Sequence, residues 1–381
     1  MNTLRDTLGG QVLFGITSCA VSNEVLISFR DLLTKGWSAG IIDTFDGCHC
    51  RTVLAASRDL GHPLKEASWK QLPESDFVIV CGTDLSDRQP LLMSLLRRNV
   101  LETGTRVAVI GSTDFMASIR SFYFATGHDD LPVWVDILYN MAAQASEGAL
   151  KAVVESKRTG RTGAKRYLRD LQKKVAMRTE TRKALAAMVR QYLASKQPLL
   201  IAGQALLNAQ HASALNNLAR LARLKDLDSR DRLMILKRDG NSAGAWKLDI
   251  PAQNRPGSKK WLKAGLVLLG EESAADIAAW TGRSGPEFLA VISPYLPTNL
   301  LNKAQVLIPR PSWLEEEGTY TASDGNETAY VKKVLAAPGD IRDTWQTLLA
   351  LADRAGCPPA LKTLQELTQK AAAELNLGPR I

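Results

Sequence analysis

The densest run of reactive side chains in the sequence is Asp46-Gly47-Cys48-His49-Cys50-Arg51. Two thiols and an imidazole at consecutive positions could ligate a soft metal or supply a nucleophile. A closed zinc site wants four ligands in CxxC-type spacing. The other cysteines, Cys19, Cys81 and Cys357, show no such pairing, and His62, His128 and His211 stand alone as helix-face or loop residues. No CxxCxxC run exists, which argues against an iron–sulfur cluster. The plain alternative for Cys48 and His49 is a buried turn of an α/β domain, where a reduced cysteine packs as a small hydrophobe.

A second set of candidates is glycines that end apolar runs: Gly15 to Ser18, Gly82-Thr83-Asp84, Gly111-Ser112-Thr113-Asp114, Gly203-Gln204 and Gly270-Glu271-Glu272. Such turns at strand ends can let a backbone approach a phosphate. None is a GxGxxG fingerprint or a GxxxxGK[ST] loop. Asp84 and Glu271-Glu272 would meet a phosphate with negative charge, and glycine is also the ordinary residue of turns.

These positions need strands to carry them. Val12–Ile16, Phe77–Gly82, Arg106–Gly111, Pro198–Gly203, Arg232–Leu236, Gly265–Gly270, Phe288–Ile292 and Gln305–Pro309 are short apolar runs. Hydrophobic on both faces, they suit central parallel strands. Val21–Leu33, Pro90–Glu102 and His211–Leu224 have helical spacing between them. The alternation predicts an α/β protein of two doubly wound, mostly parallel lobes. Gly127-His128-Asp129-Asp130-Leu131-Pro132 is the expected crossing point, and Pro251–Lys260 a surface loop. The first lobe is then 9–127 plus 310–381, and the second 128–309. After Pro309, Glu317–Thr321 and Thr328–Val331 flank an Asp324-Gly325 turn and predict a hairpin. Helices over Asp340–Ala355 and Pro359–Leu375 follow.

With 381 residues, 45% hydrophobic and 23% charged, the chain is an ordinary globular mixture, not a disordered one. No apolar run is long enough to span a membrane, and the start lacks an apolar signal core, so a cytoplasmic location is expected. Five scattered cysteines agree with a reducing compartment. The net charge of +9 is local: Lys151–Lys196 holds 14 Lys and Arg against 3 Asp and Glu, a local +11 that leaves −2 elsewhere. In this segment Tyr167, Leu168, Leu171, Val175, Leu185, Met188, Val189 and Tyr192 recur at helical spacing, which predicts amphipathic helices with a cationic face. Lys165-Arg166, Lys173-Lys174 and Arg182-Lys183 lie on that face, which could meet an acidic partner or simply be solvated. With two aromatics and no recognition motif, nucleic-acid binding is not expected.

Taken in order, the segments resemble the molybdopterin oxidoreductase superfamily, in particular the carboxyl-terminal molybdopterin-like region of the G-type subunit of NADH:quinone oxidoreductase (complex I). The residues that carry the resemblance are Thr17-Ser18 through Asn23-Glu24-Val25, Pro73–Asp84, Thr105–Ser112, and Met234–Leu236 through Gly240–Ala245. Gly265–Glu271, Val306–Pro309 with Glu315–Thr321 and Asp324–Asn326, and Asp343–Trp345 with Leu348–Ala352 complete the set. The resemblance implies two α/β lobes, without the iron–sulfur module and carboxyl-terminal β-barrel of active members. Asn-Pro in the family's phosphate loops reads Asp84-Leu85 and Glu272-Ser273 here. A carboxylate there would repel a diphosphate.

The resemblance therefore implies a cofactor-free, non-catalytic docking subunit of a multisubunit oxidoreductase, cytoplasmic or peripheral to a membrane complex. Gly82, Thr83, Asp84, Gly203, Gly270, Glu271, Gly318 and Thr319 would be vestigial cofactor loops. Its alternative is a B-type subunit of a formylmethanofuran dehydrogenase or formyltransferase/hydrolase complex, or a split formate dehydrogenase core. Cys48 falls where formate dehydrogenases carry a metal-ligating Cys or selenocysteine followed by His, although their next glycine is Cys50 here. In that case Cys48 would hold Mo or W of a molybdopterin guanine dinucleotide, and His49 would handle protons. Either way the partners are other subunits of a redox or one-carbon-transfer complex.

Overall fold

The computed structural model describes residues 13–64, 66–83, 85–146, 168–173, 175–207, 211–225, 232–250, 264–272, 277, 286–295, 298, 300 and 302–377. Asp84, Lys165-Arg166, Lys174 and the Pro251–Lys260 loop lie outside the described residues.

The chain forms β1 (Leu13–Thr17), α1 (Asn23–Asp31), β2 (Ile41–Thr44) and α2 (Gly47–Leu60). Next come β3 (Phe77–Cys81), α3 (Pro90–Thr103), β4 (Arg106–Gly111), β5 (Phe122–Ala125), α4 (Leu131–Ala145) and α5 (Thr179–Ala194). They are followed by β6 (Pro198–Ala202), α6 (Ala212–Arg223), β7 (Leu233–Ile235) and the short α7 (Ser242–Lys247). The last part supplies β8 (Ala264–Leu268), β9 (Phe288–Ser293), β10 (Val306–Pro309), the pair β11 (Gly318–Thr321) and β12 (Thr328–Val331), α8 (Thr344–Arg354) and α9 (Leu364–Leu377).

Two compact units result, Met1–Cys50 with Asp239–Ile381, and Arg51–Arg238. In the first, β10-β9-β8-β1-β2 form a wholly parallel sheet around Phe14, Ile16, Val267, Leu269 and Val291. In the second, β5-β4-β3-β6-β7 form another, around Val78, Val80, Val107, Val109, Leu199 and Ile201. Every residue of β1, β3, β6 and β8 is buried, as continuous apolar runs in parallel sheets require. The fold is thus the α/β architecture with two parallel-sheet lobes. Among the described residues, no helix is long and apolar enough to cross a membrane.

The lobe boundaries differ from those expected at 127/128 and 309/310. Strand β3 pairs with β6, and β1 with β8, so the expected division would cut both sheets. The run Gly127–Pro132 leads into α4, with Pro132 in the first helical turn, where its missing N–H and fixed φ suit a helix start. The first 50 residues are joined by 239–381, and 51–238 form an inserted unit.

Local chemistry explains the element ends. Ser22 Oγ accepts from the Val25 amide at 3.3 Å to cap α1, and Glu24 lies in its first turn. In the inserted unit, Asp76 sits just before β3 and holds the start of β6. Its carboxylate accepts from the Ser195 hydroxyl and from the amides of Lys196 (2.7 Å) and Gln197 (2.9 Å). Burial pushes this carboxyl up, but the hydrogen bonds outweigh it and hold Asp76 below the usual aspartate range. On α5, Leu185, Met188, Val189 and Tyr192 are buried while Arg182 and Lys183 are exposed, as the amphipathic pattern predicts.

Candidate functional site

Strands β1 and β2 are parallel neighbours with Thr17 opposite Thr44, so residues two beyond each end stand at one level. Those residues are Cys19 and Asp46. Cys19 Sγ donates to Asp46 Oδ1 at 3.2 Å, and Thr44 Oγ1 donates to the same oxygen at 2.7 Å. The Asn241 amide donates to the Cys19 carbonyl at 2.9 Å and brings in the loop that carries Asp239. Cys19 Sγ and a carboxylate oxygen from each of Asp46 and Asp239 lie within 4.8 Å of one another. Cys19 and Asp46 are both 0% exposed, and Asp46 Oδ2 has no hydrogen-bond partner among the described residues. Burial, then the charges of Asp46 and Asp239, push the Cys19 thiol well above its ordinary range, so it is a donor. Burial alone pushes Cys81, on β3, up to about 12 and leaves it an inert core thiol.

Cys48 and His49 do not occupy a buried turn. They begin α2, with Cys48 exposed, His49 half-buried and Cys50 buried. The His49 amide donates to the Asp46 carbonyl at 2.8 Å. Among the described residues, the group of His, Cys, Asp and Glu donors that converges as a metal cage is Cys19, Asp46 and Asp239, without Cys48 or His49. Spacing along the chain cannot reveal it, since its members are 27 and 193 residues apart. The available signal is the matching offset of Cys19 and Asp46 beyond two paired strands.

The glycine turns behave as structural turns. At the end of β8, the Gly270 amide donates to Glu272 Oε2 of the same turn at 2.7 Å, and Glu272 is buried while Glu271 is exposed. A diphosphate oxygen seeking that amide would meet a carboxylate already there, so this turn does not fit one. In the inserted unit, the Gly82 amide (φ +71°) donates to Ile110 O, Gly203 to Cys81 O and Ala205 to Gly82 O, at 2.9, 2.7 and 3.1 Å. A Cβ on Gly203 would lie 2.2 Å from Thr83 Cβ and 2.5 Å from Gly82 O. Glycine is required there because the two turns pack on each other.

Gly318 and Thr319 are likewise absorbed by packing. Glu24 accepts from the Thr319 amide and hydroxyl, both at 2.8 Å, and from Thr368 Oγ1 at 2.9 Å. Asn23 Nδ2 donates to Thr319 Oγ1 and Thr321 Oγ1, and its Oδ1 accepts from Asn241 at 3.0 Å. A Cβ on Gly318 would sit 2.7 Å from Glu24 Oε2. Nearby, Arg310 bonds Glu316 at 2.9 Å, Leu269 O at 2.8 Å and Thr344 Oγ1 at 2.9 Å, with both charged side chains almost wholly buried. Segments far apart in sequence therefore meet in two buried polar clusters, one of Asn23, Glu24, Asn241 and Thr319, the other of Arg310, Glu316 and Thr344.

The family model for Molybdopterin oxidoreductase matches residues 2–354. Formate dehydrogenase H of Escherichia coli (strain K12) is 30% identical over 79 residues, 21% of this chain and 11% of that protein. Among solved structures, a chain of the formyltransferase/hydrolase complex from Methylorubrum extorquens, in complex with methylofuran, superposes with a TM-score of 0.61. Its sequence is 14% identical, and the match covers 93% of this chain and 94% of that one. Acetylene hydratase from Pelobacter acetylenicus gives a TM-score of 0.58 at 14% identity, over 93% of this chain and 57% of that one.

Proposed function

This chain belongs to the molybdopterin oxidoreductase family, and on that premise we propose that it is a cofactor-free structural subunit of a multisubunit one-carbon-transfer complex. The observation that carries the reading is the Gly270–Glu272 turn, where the chain's own buried carboxylate takes the amide that a diphosphate would need. A fold that keeps its scaffold while its ligand positions are filled serves assembly through its surface.

That surface has a docking candidate. Of ten large hydrophobic side chains exposed among the described residues, eight fall between Tyr295 and Leu335 of the first unit. Trp313 and Leu335 are about half exposed and Val334 is 74% exposed, and the amides of Val334 and Leu335 both donate to Leu314 O. Scattered exposed hydrophobics are ordinary, whereas a concentration in one segment marks an interaction surface. The strand β10, at the sheet edge, adds exposed Val306 and Leu307.

The near-complete mutual coverage with the formyltransferase/hydrolase chain supports an assembly of that type. The test is affinity purification of the tagged chain from its native host, with partner identification by mass spectrometry and Mo and W analysis. Subunits of a formyl-transfer complex with Mo and W far below stoichiometry are expected. Stoichiometric Mo or W would overturn the cofactor-free reading and restore Cys48 and His49 as the metal and proton residues. Recovery of complex I subunits instead would redirect the assembly toward the G-type subunit of that enzyme.

A further inference from the structure

We propose that Cys19, Asp46 and Asp239 form a binding site for a borderline divalent cation of the zinc class at the carboxyl ends of β1 and β2.

Three observations converge. The donor atoms come from three separate loops yet lie within 4.8 Å of one another, all inside the first unit. Ligand atoms about 2.0–2.3 Å from a tetrahedral zinc sit roughly 3.3–3.8 Å apart. The Cys19–Asp46 pair at 3.2 Å is already close to that spacing, and Asp239 offers a third ligand oxygen within 4.8 Å of both. Second, Asp46 is fully buried, and its Oδ2 has no hydrogen-bond partner among the described residues although Oδ1 of the same carboxylate takes the thiol and the Thr44 hydroxyl. A buried carboxylate oxygen left unsatisfied beside a second carboxylate is costly, and a cation both satisfies that oxygen and removes the repulsion. Third, the donor set has a chemical preference. A thiolate with two carboxylates suits zinc or cobalt, whereas magnesium and calcium take oxygen ligands only.

Binding would replace one proton: the Cys19 S–H bond breaks, the thiolate sulfur bonds the metal, and the released proton leaves to solvent. Three protein ligands leave the fourth tetrahedral position to water, the arrangement of zinc sites that keep an open position. The site shares no ligand with the adjoining Cys48-His49 pair and does not depend on the proposed assembly role.

The test uses the purified full-length chain with Zn²⁺ alone and, in parallel, Co²⁺ alone. Stoichiometric Zn²⁺ should survive gel filtration, and Co²⁺ should produce the near-ultraviolet sulfur-to-cobalt charge-transfer band with tetrahedral visible bands. C19S should abolish the charge-transfer band, D239N should weaken uptake at least about tenfold, and C48S should change neither. D46N serves as a further variant if it folds, and D239N, at a partly exposed position, keeps the test decisive if it does not. Absence of stoichiometric Zn²⁺ uptake by the wild-type chain, or uptake that C19S and D239N leave unchanged, would overturn the site and leave the cluster as a hydrogen-bonded network.

Discussion

Each unit carries a five-stranded parallel sheet, with a different strand order, and the two use their carboxyl ends in opposite ways. In the inserted unit the turns after β3 and β6 close on each other, with the Gly82, Gly203 and Ala205 amides taken by backbone carbonyls. In the first unit the corresponding edge is polar and buried, with Cys19, Asp46, Glu24, Glu272, Arg310 and Glu316 all under cover. One sheet end is sealed by main chain and the other is filled with ionisable side chains. Topology sets where a site can be, and the side chains delivered to that place decide whether chemistry remains possible.

Removing a charge from each unit tests that contrast. The largest effect is expected from Glu316→Ala, which strands Arg310 in a buried environment and should cost about 3–5 kcal/mol, read as a lower urea midpoint. Glu66→Ala in the inserted unit removes the partner 2.5 Å from Lys237 and should cost less, because Glu66 keeps 15% of its side chain in solvent. Equal losses would erase the distinction. Next, Gly203→Ala forces a Cβ against Thr83 and the Gly82 carbonyl and should cost about 1–3 kcal/mol through overpacking, without changing metal uptake by the first unit.

Asp76→Asn has a smaller effect with a pH signature. The folded carboxyl lies below its unfolded value, so its contribution is complete above the unfolded pKa and is lost as pH falls through the folded one. The variant should lose about 1 kcal/mol at neutral pH, discounted for exposure, and show a shallower acid slope below about pH 4. Denaturation at a series of pH values checks this, and parallel curves for both proteins would remove Asp76 as the clamp. Smallest in stability is Val334→Asp, expected within about 0.5 kcal/mol of wild type because the side chain is mostly in solvent. Its readout is assembly: partner recovery should fall sharply while the melting curve holds.

The central strands are legible in the sequence because a strand buried on both faces must be apolar along its length, as Phe77–Cys81 and Pro198–Ala202 are. Strands β2 and β5 give no such signal, the first because Asp43 and Thr44 interrupt its apolar run, the second because three of its four residues are not fully buried. The lobe boundary misleads because Gly-His-Asp-Asp-Leu-Pro has the composition of a linker and the geometry of a helix start. The family signature is readable as separate motifs, but the meeting of Asn23, Glu24, Asn241 and Thr319 depends on pairings across more than 200 residues. Nothing beside Cys19 in sequence marks it as a ligand, and its neighbours in space come from the register of β1 on β2.

The inserted unit also imposes an order of events during synthesis. Strand β8, the central partner of β1, is made roughly 250 residues after it, which at ~5–20 residues per second is a wait of ~10–50 s. By then every strand of the β5-β4-β3-β6-β7 sheet has been synthesised, so the middle of the chain is expected to complete its sheet before the first unit can. During that interval β1 and β2 expose aliphatic edges that a nascent-chain chaperone would need to cover. Limited proteolysis of a released fragment ending at residue 263 should cut within the first 50 residues and spare strands β3, β4, β5 and β6.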